Sequence, residues 1–256
     1  GTSAALRASS AVLAPSRWLA DLAMKHVPGL AVEVVANGSD SAAPLAAVAP
    51  RAEFSAHRPA RVVALLGALG PHKGSELVEE IAARLEGSDI ALVVIGYLDR
   101  QLHPGWRIPG RLFVHGAFAE GDAAGLLAGY GASLALLPNA VPESFSYALS
   151  DAWAAGVPVL AAPRGALAER IAGHGGGGLL PEAFDAGLVA REIRALAGGD
   201  REDERARVQL RLAQPDPARI PPLAAMTRSL DAFYARFGID PLAPETADDA
   251  TLESLA

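Results

Sequence analysis

Two carboxylates eight residues apart, Glu143 and Asp151, stand in the stretch PNAVPESFSYALSDAWAAGVPVL, residues 138–160. A pair of acids suggests acid–base chemistry, but the spacing argues against it. Eight helical residues rise about 12 Å, whereas carboxyl groups flanking one glycosidic bond sit roughly 5 to 9.5 Å apart. The span suits the two ends of an extended ligand. Backbone N–H groups of Ser144, Phe145 and Ser146, unpaired at the expected helix start, would face an anion lying between them. The plainer alternative is that Glu143 complements the helix dipole and Asp151 is solvated. Composition and spacing alone favour that alternative.

A second candidate is Lys73, in the loop GALGPHKG at residues 67–74. Glycines between a strand and a helix let backbone N–H groups approach phosphate oxygens closely. Two familiar phosphate motifs are absent. The order Lys73-Gly74-Ser75 is not Gly-Lys-Ser, and glycines at 67, 70 and 74 do not have the dinucleotide spacing. A lone loop lysine is otherwise most simply a solvated one.

The elements that must position these residues read as strand, loop, helix, strand. Residues 132–137 form an apolar run, and Pro138, Asn139 and Pro142 mark a loop. A helix follows, stopped at Gly156, and residues 157–161 give the next strand. This is a unit of a parallel α/β sheet, which binds ligands at the carboxyl ends of its strands. Upstream, 61–67 is a strand, 75–85 a helix, 90–95 a buried strand, 112–116 a short strand and turn, and 120–129 a helix. Residues 99–110 read as loop, 175–178 as a glycine turn and 186–197 as a helix, while 198–217 is charged and unassigned.

The flanks differ. Residues 10–14 and 31–36 read as strands around a helix at 17–26 with Ser16 as N-cap. Residues 41–60, rich in Ala and Pro, read as a linker. Leu223, Met226, Leu230, Phe233, Tyr234 and Phe237 form an amphipathic stripe over 221–237. Residues 238–256 carry five acids and no base, an expected disordered tail.

Composition bounds the function. Among 256 residues, 51% are apolar and 20% charged, ordinary for a folded protein with a large core. A net charge of −7 without a basic stripe excludes nucleic acid as an expected partner. No run of 18 apolar residues occurs, so no spanning segment is expected, while a peripheral contact at the inner face of a membrane stays compatible. Zero cysteines exclude disulfides and fit the cytoplasm. No metal is expected, because the six histidines are scattered and neither H-E-x-x-H nor Asp-x-Asp occurs. The chain opens on Gly-Thr-Ser without a signal-peptide pattern and is expected to belong to a longer protein.

The segment PESFSYALSDAWAAGVPVLA closely resembles the motif of glycosyltransferase family 4, retaining nucleotide-sugar glycosyltransferases of the GT-B fold. Their pattern is Pro-x-x-x-x-Glu, seven residues, Glu, then Ala-x-x-Gly-x-Pro-Val. Further resemblances follow in order over residues 12–180: Val35-Ala36-Asn37-Gly38-Ser39-Asp40, Lys73-Gly74, Gly96-Tyr97, Val114-His115-Gly116 and Glu169-Arg170-Ile171. Two positions depart from the pattern. Asp151 replaces the second Glu, one methylene shorter, and Ala68 stands where the family carries an Arg.

The resemblance implies a Rossmann-like doubly wound sheet of GT-B type that lacks most of its first domain. Residues 1–40 would close that first, acceptor-side domain, 61–220 would bind the donor, and 221–237 would cross back. It also implies roles. Glu143 would hold hydroxyls of the donor sugar, Lys73 the diphosphate, Asp151 the ribose and His115 the base. Gly67, Gly96, Ser144, Phe145, Ser146 and Leu149 would complete the site, with Glu143 and Lys73 as its catalytic residues. The donor, a nucleoside-diphosphate sugar, is a substrate, so no cofactor is expected. The acceptor would be a glycan or a lipid-linked glycan, as in polysaccharide or lipopolysaccharide biosynthesis. The rival expectation is a non-catalytic nucleotide-sugar-binding domain of a larger or degenerate enzyme.

Overall fold

The computed structural model describes residues 2–9, 11–39, 46–57, 59–99, 101–197 and 214–238. An N-terminal piece holds α1 (Thr2–Ala8), β1 (Leu13–Ala14), α2 (Arg17–His26) and β2 (Glu33–Val34). Ser16 caps α2 by accepting the Leu19 N–H at 3.2 Å, as a serine before an amphipathic helix does. The main body follows as β3 (Arg61–Leu69), α3 (Ser75–Arg84), β4 (Ile90–Leu98), β5 (Gly105–Ile108), β6 (Leu112–Val114), α4 (Ala123–Gly129) and β7 (Ala132–Leu137). It continues with α5 (Tyr147–Ala154), β8 (Val159–Ala161), α6 (Gly165–His174), β9 (Gly177–Leu179) and α7 (Ala186–Ala197), and α8 (Leu223–Ala235) ends the described chain.

Seven strands form one sheet in the order β5-β6-β4-β3-β7-β8-β9, parallel except that β5 runs antiparallel to β6. Side chains alternate between its faces. Val62, Ala64, Leu66 and Ile95 pack with α4, α5 and α6 on one face, and Val63, Leu65, Leu92 and Val94 pack with α3 and α7 on the other. The fold is therefore a Rossmann-like, mostly parallel α/β sheet covered on both sides, as its continuous apolar strands require. The chain moves outward from β3 to β4 and β6, then returns past β3 to β7, β8 and β9. Loops leaving the carboxyl ends of β3 and β7 diverge there and open a crevice at the switch point.

Three local expectations need correction. Residues 99–110 are not wholly loop, because β5 pairs with β6 there; Trp106 stacks on Phe54 with centroids 5.5 Å apart and meets Phe113 edge-on. Four residues are too few to show a period in sequence. Residues 175–178 are not only a turn, since β9 begins at Gly177. A Cβ at Gly177 would lie 2.2 Å from the Val159 carbonyl oxygen, so close pairing depends on the missing side chains that hide the strand's pattern. The helix after Glu143 starts later than expected, at Tyr147.

Part of the Ala/Pro-rich segment 41–60 packs on the body. Phe54 is buried against Phe113 and Tyr130, and the Val48 N–H donates to the Gly125 carbonyl. The N-terminal piece is tied down by Glu169 of α6, whose carboxylate accepts the Arg17 N–H at 3.0 Å and the Trp18 N–H. α8 lies against the same piece: Ser39 bridges Pro222, Arg236 pairs with Glu33 at 2.6 Å, and Phe233 is buried. Of the apolar stripe, Leu223 and Phe237 stay exposed. Among the described residues no helix is long and apolar enough to cross a membrane. The expected tail, apart from Gly238, and most of the unassigned stretch lie outside the described residues.

Candidate functional site

The crevice between β3 and β7 is built from two loops. After β3, the chain makes a 3-10 turn, Pro71–Lys73, in which the Lys73 N–H donates to the Gly70 carbonyl at 2.9 Å. Gly74 then takes φ 82°, a left-handed conformation that lets the chain turn directly into α3. After β7, the Ala140 and Val141 N–H groups donate to the His72 carbonyl, fastening one loop to the other. Glu143 is fixed through its backbone, whose carbonyl accepts the Ala166 N–H at 3.0 Å at the start of α6. That approach requires Gly165, at φ 61°, where a Cβ would sit 2.7 Å from the Glu143 oxygen.

Lys73 Nζ and Glu143 Oε1 meet at 3.0 Å across the crevice, with side chains 28% and 18% exposed. Lys73 Nζ lies over Gly67, where a Cβ would come into van der Waals contact with it at 3.8 Å. The pair is partly buried, so a ligand that separates it must replace the contact with charged or hydrogen-bonding groups of its own. The surrounding cleft, about 550 Å³, is lined by Gly67, Lys73, Glu143, Ser144, Ser146 and Asp151 among others.

The approach to α5 is strained. Ser146 precedes the helix at φ 73° and ψ 90°, a region that serine seldom occupies. Its Oγ is buried without a partner among the described residues and does not cap the helix. Beneath it lies Arg170, buried at 6% exposure, whose NH1 donates to the Phe145 carbonyl at 3.1 Å and the Ser146 carbonyl at 2.7 Å, and whose NH2 donates to Ser150 Oγ at 2.8 Å. The guanidinium also stacks on Phe145, 4.1 Å from the ring centre, and faces Trp153 at 5.0 Å. Burial lowers its pKa to about 10, partly offset by Glu169, and it stays charged at neutral pH. The N–H groups of Ser144 to Ala148 make no hydrogen bond among the described residues.

Asp151 lines the same cleft, and burial pushes its carboxyl up to about 6. The remaining sequence candidates lie around the cleft. Leu149 is fully buried in the core and Phe145 is buried against Arg170 and Tyr147, and neither lines the cleft. Gly96 pairs with Gly67 in the sheet, and a Cβ there would fall 2.2 Å from the Gly67 oxygen. His115 lies in an adjoining cleft of about 650 Å³, with its Nδ1 2.8 Å from the Tyr130 hydroxyl. Burial, then Arg51, lowers the His115 pKa. Phe118 lines both clefts and is partly exposed between them. A larger groove of about 910 Å³ lies elsewhere, between the N-terminal piece and α8.

Sequence reasoning missed Phe118 and treated Arg170 as part of a structural triplet. A signal for Arg170 existed: it shares a helical stripe with Ala166 and Leu167, at i+4 and i+3, so its charge falls on the buried face.

Residues 51–210 match the family model of glycosyl transferases group 1. Among solved structures, the Anabaena protein HepE in complex with UDP and glucose superimposes with a TM-score of 0.67 at 20% identity, covering 90% of this chain and 64% of that one. Sucrose-phosphate synthase from Thermosynechococcus elongatus gives 0.62 at 19%, covering 93% and 61%. A glycosyltransferase from Rickettsia africae gives 0.58 at 17%, covering 88% and 63%. The chain thus spans less than two-thirds of the length of these structures, and identities this low speak to the fold. No curated protein matches it in sequence. The matched stretch runs from the segment beneath β5 through both loops of the cleft and past α7, and the chain belongs to the glycosyl transferases of group 1, with a GT-B fold.

Proposed function

We propose that this chain binds the donor in a retaining glycosyltransferase of family 4, which moves a sugar from a nucleoside diphosphate to a glycan or lipid-linked acceptor. The observation that carries this is the Lys73–Glu143 pair, 3.0 Å apart beside the unpaired N–H groups at the start of α5. Those groups offer positive charge to a diphosphate and a carboxylate to sugar hydroxyls within one cleft. In the reaction, the bond between the anomeric carbon and the diphosphate breaks, and the leaving oxygen takes the electron pair. An acceptor hydroxyl forms the new bond, and its proton passes to the departing diphosphate oxygen. Lys73 and the α5 N–H groups stabilise the charge that gathers on the diphosphate, and Glu143 orients the sugar.

Asp151 would accept hydrogen bonds from the ribose, and His115 with Phe118 would lie toward the base. HepE, solved with UDP and glucose, supports a uridine donor of the same kind. Retention of configuration rests on the sequence resemblance. Charge neutralisation by Lys73 and the backbone makes donor binding independent of divalent metal. We assign residues 1–40 to the end of an acceptor-side domain, 61–220 to the donor domain and 221–237 to the returning helix. A place in polysaccharide or lipopolysaccharide synthesis, at the cytoplasmic face of a membrane, completes the proposal.

A second function, a donor-binding domain without turnover, is favoured by Ala68 and Asp151, the two positions that depart from the family pattern. Calorimetric titration with UDP, GDP, ADP and UDP-glucose, in EDTA and in magnesium, tests donor binding. Binding of none of them, or binding that needs metal, counts against the corresponding part. A single-turnover assay with added acceptor separates enzyme from binder.

A further inference from the structure

Ser146 occupies its left-handed conformation without help from its own side chain, since Oγ has no partner among the described residues. Serine pays a steric cost at such a φ, and the surroundings must impose it. The two carbonyls flanking its Cα, those of Phe145 and Ser146, both accept from the same nitrogen of Arg170, at 3.1 and 2.7 Å. Ser150 Oγ and the rings of Phe145 and Trp153 hold the guanidinium in place. Peptide groups are planar and trans, so each N–H points opposite its carbonyl. With both carbonyls turned toward Arg170, the N–H groups of Ser146 and Tyr147 are turned together away from it. Both residues line the cleft, and neither N–H is hydrogen-bonded among the described residues. Two successive N–H groups left without a partner on the cleft side are donors that an anion lying there can accept from.

We propose that Arg170 is a positioning residue: it grips the carbonyls on either side of Ser146 and thereby aims the Ser146 and Tyr147 N–H groups at the donor diphosphate. It acts through the backbone and does not touch the ligand. The proposal rests on the donor-binding function of the cleft. A buried arginine serving only as packing would leave the affinity of the folded protein unchanged. One that holds a strained turn has a specific suppressor, because glycine adopts φ 73° without steric cost.

The test is calorimetric titration of UDP-glucose into the full chain and its variants, with thermal unfolding alongside. Arg170→Met is expected to weaken UDP-glucose about tenfold or more, the effect of losing hydrogen bonds to a charged group. Ser146→Gly alone is titrated as the reference for the double variant, since glycine keeps both N–H groups and removes the steric cost of φ 73°. In the Ser146→Gly background, Arg170→Met should recover most of its loss. If Arg170→Met does not fold, Ser150→Ala, which removes one anchor of the guanidinium, carries the test: weaker binding restored by Ser146→Gly supports the proposal, and unchanged binding overturns it. Arg170→Met that folds and binds as wild type, or a loss that Ser146→Gly leaves in full, also overturns it. A wild-type chain that binds neither UDP nor UDP-glucose removes the function of the cleft, and this proposal with it.

Discussion

Lys73 and Arg170 are cations on opposite sides of one site, held in contrasting ways. Lys73 ends a short 3-10 turn, is 28% exposed and, among the described residues, pairs with Glu143 alone. Arg170 is buried, makes three hydrogen bonds and stacks on two aromatic rings. The first can turn to a ligand by giving up one ion pair; the second cannot move without unmaking the turn before α5. The proposed diphosphate site would use both, a charge on a short turn on one wall and a fixed array of N–H groups on the other.

The contrast breaks most visibly in stability. Arg170→Met leaves two carbonyls and a buried hydroxyl without their donor, and the expected cost in chemical denaturation is about 3 kcal/mol. A loss under 1 kcal/mol would mean that the clamp is not what holds the turn. Lys73→Ala should cost less stability than Arg170→Met, about 1 kcal/mol, because it breaks one partly buried ion pair. It should also weaken UDP and UDP-glucose alike by about 1.5 to 3 kcal/mol. A loss for one ligand only would separate Lys73 from the diphosphate.

Asp151 sharpens the comparison from within α5. Its carboxyl is raised to about 6 by burial, so the folded state holds the proton more tightly than the unfolded chain does. Its contribution to stability is therefore greatest below about pH 4 and declines as pH rises to about 6. Asp151→Asn should remove that decline from pH-dependent unfolding. Ribose hydroxyls would donate to the ionised form, so UDP-glucose should bind more tightly as pH rises through about 6, and the Asn variant should lose this slope. The smallest effects belong to the side chain's length. Asp151→Ala should lose about 1 kcal/mol of UDP affinity. Asp151→Glu should bind at least as well if a water now bridges the gap, and clear weakening would show direct contact.

The fold was legible where apolar runs are long. Residues 61–67 and 90–95 could only be buried strands, and their helices follow at ordinary spacing. β5 and β9 were not legible, since one is four residues long and the other begins on glycines whose value lies in a missing side chain. Glu143 and Lys73 stood out as charged residues among loop glycines and prolines, whereas Arg170 reads in sequence as one more charge on a helix. Only the packing of α6 under α5 reveals what it grips. The strain at Ser146 is likewise a property of the assembled turn, as nothing in Phe145-Ser146-Tyr147 requires φ 73°.

The most direct measurement is calorimetric titration of Glu143→Ala with UDP and with UDP-glucose, beside wild type, in EDTA. If the cleft holds a nucleotide sugar with Lys73 at the diphosphate and Glu143 at the sugar, the variant binds UDP as wild type does. It should lose about 1 to 3 kcal/mol for UDP-glucose alone. Equal loss for both ligands, or none for either, would contradict that arrangement.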